Sequence, residues 1–159
     1  DIQGINLSAS RATIKADNSR LYLAVTSIVG EDSSQVYVYE NNKWTKLGDN
    51  VGGSEVGNLL IDSNDKTPYV AYADSESGYS IVKKLDGDKW VQEGSNVSDE
   101  RISKLDFKIS NSKAYVAINP TTSQKLLVKS RELEKSSLED KEEVINVSNV
   151  TLNKSELNE

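Results

Sequence analysis

The chain has 159 residues, 36% of them hydrophobic, a net charge of −6, and no cysteine, histidine or methionine. That composition excludes disulfides and any zinc site built on thiolate or imidazole. The acidic balance argues against a nucleic-acid backbone or an anionic membrane surface as partner. No stretch of 18 apolar residues is present, so no membrane-spanning helix is expected.

Self-similarity dominates the sequence. The run Leu21-Tyr22-Leu23-Ala24-Val25 returns as Pro68-Tyr69-Val70-Ala71-Tyr72 and again as Ala114-Tyr115-Val116-Ala117-Ile118. Short segments rich in Val, Ile, Tyr and Leu surround each run, bounded by turn clusters such as Ala16-Asp17-Asn18-Ser19, Asn41-Asn42 and Asp86-Gly87-Asp88. Such segments are strand and hairpin signals. In chain order they predict strands over 11–15, 20–27, 35–40 and 43–47, then 57–62, 68–74, 79–85 and 89–93, then 103–109, 113–119 and 124–130.

The fourth strand of the first two repeats is built on tryptophan. Asn42-Lys43-Trp44 through Gly48 matches Asp88-Lys89-Trp90 through Gly94. The third repeat puts Ser136 where that tryptophan belongs, so its last strand reads as degenerate. Four short strands per repeat of about 46 residues are the signature of a propeller blade. The fold class is therefore all-β, a partial β-propeller of three four-stranded blades over about 1–50, 51–96 and 97–143. A β-sandwich with chance similarity is the alternative. The second strands carry no polar residue on either face, which predicts burial on both sides. The recurring Ala24, Ala71 and Ala117 would let neighbouring sheets approach closely.

Residues 131–159 hold four basic and eight acidic side chains. The part up to 146 reads as a charged linker or the degenerate last strand, with a short helix from near Ser137 as another option. At the other end, residues 1–10 align with the linker that follows Trp44, and the chain begins at Asp1 without methionine. A mature or excised piece is the expectation, with another blade ahead of it.

Two resemblances follow from quoted residues. Pro68 to Asp74, then Val82-Lys83-Lys84 and Gly87-Asp88-Lys89-Trp90, resembles propeller repeats of large secreted bacterial proteins. It also looks like a distant relative of the Asp-box hairpin of sialidase-type propellers. Gly87 and Trp90 match that motif, whereas Leu85 and Lys83 stand where its Asp and Ser belong. No arginine triad of the sialidase kind can be placed. The tail Val147-Ser148-Asn149-Val150-Thr151-Leu152-Asn153-Lys154 is similar to the opening of group 2 bacterial immunoglobulin-like domains, so 147–159 would begin such a module. These resemblances imply a secreted or cell-surface bacterial protein, and the lack of cysteine with abundant Asn, Lys, Ser and Ile is compatible with a Gram-positive source.

Catalysis without histidine or cysteine would rest on carboxylates. Asp62, Asp74 and Asp106 lie near the ends of first or second strands, where a pair could act as acid and base on a glycoside. The alternative is that they bond turn amides. Trp44 and Trp90 could stack on sugar rings, or fill the outer part of the blade. Tyr37 and Tyr39 share one face and could cover an edge or form a ligand platform. Asp62-Ser63-Asn64-Asp65 is oxygen-rich enough for calcium, but lacks the glycine and distant glutamate of an EF-hand, and a plain hairpin turn explains it as well. No cofactor fingerprint is present.

The expected function is a non-catalytic propeller module that binds carbohydrate or protein, or acts as a scaffold. The rival is one part of a catalytic glycosidase or lyase propeller whose remaining residues come from other blades. Three repeats do not close a ring. Either two chains join around a two-fold axis, or further blades complete the propeller.

Overall fold

The computed structural model describes residue 9, residues 11–17, 20–26, 34–52, 60–64, 66–74, 76–123 and 125–133, and the backbone of 143–146. Among the described residues, twelve strands form three four-stranded antiparallel meanders. The first sheet holds β1 (Arg11–Asp17), β2 (Arg20–Thr26), β3 (Ser34–Glu40) and β4 (Lys43–Leu47). The second holds β5 (Leu60–Asn64), β6 (Thr67–Ala73), β7 (Ser80–Asp86) and β8 (Lys89–Gln92). The third holds β9 (Ile102–Ser110), β10 (Lys113–Pro120), β11 (Leu127–Glu132) and β12 (Glu143–Asn146). The chain is a partial β-propeller of three blades.

The hairpins form where the backbone can turn left-handed. Asn41, Asn42, Asn111 and Ser112 all have positive φ, and so does Gly87. Two such residues make the tight turn whose twist matches that of paired strands, and asparagine tolerates that conformation better than most side chains.

Neighbouring sheets meet mainly through their first strands, β1 on β5 and β5 on β9. Behind them lie two apolar interfaces. Tyr22, Ala24, Val36, Val38 and Val51 of the first blade pack on Ile61, Val70, Tyr72 and Trp90 of the second. Tyr69, Ala71, Val82 and Val97 of the second pack on Phe107, Ala114, Val116 and Ile118 of the third. Thus β6 feeds both interfaces in strict alternation, Val70 and Tyr72 one way, Tyr69 and Ala71 the other. That is the period-two geometry of a strand enclosed by two neighbours.

Burial on both faces was expected for all three second strands, and only β6 has it. In β2, Leu21 and Leu23 remain half-exposed, and in β10 Tyr115 and Ala117 do. Each terminal blade has a described neighbour on one side only, so the same apolar run is covered on one face.

The third sheet does have a fourth strand. β12 pairs with β11 from Leu127↔Asn146 to Ser130↔Glu143. Ten residues separate it from the end of β11, whereas two-residue turns join β4 and β8 to their partners. The extra length lies in residues outside the described set, as do Ser136, the Ser137 helix and all of 147–159. Among the described residues, no helix is long and apolar enough to cross a membrane.

Candidate functional site

The repeat places one residue of each blade opposite its signature tyrosine. Lys15 faces Tyr22, Asp62 faces Tyr69 and Lys108 faces Tyr115. These three positions lie on the inner strands, where the blades converge. The result is a base–acid–base ladder across the three blades. Lys15 Nζ lies 3.0 Å from Asp62 Oδ1, and Lys108 Nζ lies 3.3 Å from Asp62 Oδ2.

Asp62 is buried, at 2% exposure. Its oxygens also accept the amides of Ser63 (2.9 Å) and Ile109 (2.7 Å). Burial pushes the carboxyl up, but the Ile109 amide, the Lys15 hydrogen bond and the Ser63 amide outweigh it, and its pKa falls below the ordinary value. A carboxylate with that many donors stays ionised and is a weak base. A parallel link, Ser63 Oγ donating to Asp17 Oδ2 at 2.7 Å, ties the same strands together.

The other candidate carboxylates do different work. Asp74 organises the loop after β6: its Oδ1 accepts the Glu76 amide at 3.0 Å, and its Oδ2 accepts the Ser77 hydroxyl at 3.0 Å. Asp106 is exposed and accepts the amide of the next residue, Phe107, at 2.8 Å. The three are therefore engaged separately. Asp62 joins blades, Asp74 holds a turn and Asp106 bonds its own strand. For calcium at 62–65, Asp62 offers oxygens already facing two ammonium groups, and Asp65 lies outside the described residues. Among the described residues, no cluster of three acidic side chains forms a metal cradle.

The two tryptophans occupy equivalent places with different surroundings. Trp90 is buried, and its Nε1 donates to the Leu47 carbonyl of the first blade at 3.2 Å. Its amide donates to Asp49 Oδ1. The indole thus staples β8 to the blade before it. Trp44 is half-buried and tilts against Tyr39, with ring centroids 5.1 Å apart. Tyr37 and Tyr39 are half-buried on the same open face, while Val36 and Val38 point into the core.

The third blade replaces the tryptophan staple with Arg131. It stands in the row of Leu85, opposite Ala114. Its guanidinium crosses Gly94 and donates to the carbonyls of Glu93 and Ser95 and to Ser95 Oγ. Glu93 is the counterpart of Leu47, so the same carbonyl position receives an indole N–H in one interface and a guanidinium in the next. Sequence reasoning missed both Arg131 and the ladder. The signal for the ladder was present, because Lys15, Asp62 and Lys108 recur with the tyrosine spacing.

No protein-family model matches the sequence, and no curated protein does. Among solved structures, the fold is similar to a β-propeller chain from Bacteroides ovatus described as xyloglucan PUL GH43B. The TM-score is 0.53 at 14% identity, over 81% of this chain and 28% of that one. The chain thus spans well under a third of its structural relative, and the likeness is one of fold.

Proposed function

We propose that the chain is a non-catalytic propeller module of a secreted or cell-surface bacterial protein, presenting a rigid surface to carbohydrate or protein. The observation that carries this reading is the state of Asp62. It is the one candidate carboxylate that is fully buried, and its oxygens are occupied by two lysines and two backbone amides. A general acid needs a raised pKa and access to the leaving group. Asp62 has the opposite shift and no access. Asp74 and Asp106 are bound into local backbone structure and share no partner with it.

The experiment is a panel of chromogenic glycosides run beside a glycan-binding assay on the same preparation. No turnover is expected, with xyloglucan the first polysaccharide to test for binding because the structural relative carries that name. Turnover abolished by Asp106→Asn or Asp74→Asn would sink the reading.

The second reading is a share of a glycosidase propeller. It is supported by the likeness to the GH43B chain, of which this chain covers 28%. In that case catalytic carboxylates come from other blades, and the three blades seen here hold the ring in shape. Activity in a longer parent protein that survives Asp62→Asn, Asp74→Asn and Asp106→Asn would favour it.

A further inference from the structure

Among the described residues, the first blade has one face open, and the second blade shows what belongs there. Register places Ile14 with Ile61, Leu23 with Val70, Tyr39 with Leu85 and Trp44 with Trp90. In the second blade, these side chains pack on Tyr22, Ala24, Val36, Val38 and Val51 of its neighbour. In the first blade, Ile14 is 62% exposed. The open face is thus a copy of a covered one, and an apolar patch of that kind marks an association site.

We propose that this face takes a β-propeller blade carrying a carboxylate at the position of Asp62, and that a second copy of this chain is not that blade. The argument is charge complementarity along the inner strands. Each junction seen in the chain joins a lysine to an acid, Lys15 to Asp62 and Asp62 to Lys108. Seating the third blade of a second copy on the open face would set its Lys108 beside Lys15, two ammonium groups at a position where attraction holds every observed junction. Like charges placed together at an interface are a strong discriminator against a wrong partner. A blade of the second type would instead present Tyr69, Ala71, Val82 and Val97 to the apolar face and its aspartate to Lys15. Its aspartate would also meet the amide of Ala16, the counterpart of the Ile109 amide that Asp62 accepts. Of the two routes to a closed propeller, dimerisation and additional blades, the ladder selects the second.

Two measurements test this. Sedimentation of the chain should show a monomer at every concentration; a dimer whose assembly slows hydrogen exchange at Ala16 overturns the proposal. The second uses the full chain extended by a copy of residues 51–96 placed ahead of residue 1. Exchange at Ala16 should slow by about tenfold or more and the thermal midpoint should rise, whereas the same extension with Lys in place of the added aspartate should do neither. Equal gains from both versions, or no protection at Ala16 while the added strands are themselves protected, overturn it. If neither added blade folds, Lys108→Gln in the unextended chain decides, because it removes the ammonium that would face a second copy's Lys15 without setting a like charge beside Asp62, which keeps Lys15. Self-association at concentrations where the parent chain is monomeric is expected, and a monomer overturns the proposal.

Discussion

Ile14 and Ile61 hold the same register position in neighbouring blades, opposite Leu23 and Val70, yet they are 62% and 5% exposed. Trp44 and Trp90 differ in the same sense: one leans on Tyr39, and the other is buried and bonded to the preceding blade. The residues are alike and the strands are alike. What differs is whether another sheet lies against them. A propeller blade therefore has no private core; each interface belongs to two blades, and a position's energetic weight depends on its neighbour.

The largest expected effect follows directly. Trp90→Ala should lower the unfolding free energy by about 3–5 kcal/mol, as for other large buried aromatics. Trp44→Ala should cost less, about 1 kcal/mol, because a half-buried ring leaning on Tyr39 leaves a smaller cavity than an enclosed one. Urea denaturation of both variants checks this, and equal losses would break the comparison between the blades.

Next comes the ladder. Asp62→Asn should cost about 2–3 kcal/mol, less than a fully enclosed pair, because Lys15 and Lys108 can return partly to water. The same group sets an acid limit. Its folded-state pKa lies below the unfolded one, so the unfolded chain binds more protons as pH falls. Stability is fully present above the unfolded value, near about 4, and is lost as pH drops through the folded value. Denaturation midpoints followed from neutral to acid pH should show this slope in the parent chain and a shallower one in Asp62→Asn.

At the alkaline end, burial pushes the Tyr72 phenol up to about 12. The folded state keeps that proton longer than the unfolded state, so stability is present below about pH 10 and is lost as pH rises toward the folded value. Tyr72→Phe should flatten that part of the profile. A variant that unfolds at the same alkaline pH as the parent would show that Tyr72 does not control it.

The smallest effect distinguishes a packed glycine from a free one. Gly48 has φ near +65°, and a Cβ there would lie 2.7 Å from Leu85 Cδ1 and 3.0 Å from the Asp88 carbonyl. Gly87 has a similar φ and nothing within 4 Å. Gly87→Ala carries only the left-handed backbone cost of about 1–2 kcal/mol. Gly48→Ala adds a clash across the blade interface and should exceed it by about 1 kcal/mol. Equal losses would show that the junction gives way at Gly48.

The strand order and the three-blade division were legible because period-two apolar runs and two-residue turns are local signals. Each of the eleven predicted strands overlaps an observed one, with β5 at 60–64 against the expected 57–62, of which 57–59 lie outside the described residues, and β11 at 127–132 against the expected 124–130. The twelfth was obscured by the long connection after β11 and the lack of a tryptophan to anchor it. The site was less legible. Asp62 looked like a turn or channel carboxylate by position, and nothing local indicates that Lys15 and Lys108 converge on it. Two of its partners lie 47 and 46 residues away, and only blade stacking brings them within bonding distance.

The sequence by itself determined the repeat, the order and approximate places of the strands and the alternation along them, since these depend on neighbours along the chain and on backbone conformations that Asn and Gly permit. Tertiary structure decided which copy of each repeated residue is core and which is surface. It also gave an arginine from the row of Leu85 the carbonyl position that an indole N–H takes in the other interface, and turned one aspartate among three into the bridge between blades. Burial and ion pairing are properties of the contact between sheets, and that contact is made by residues a full repeat apart.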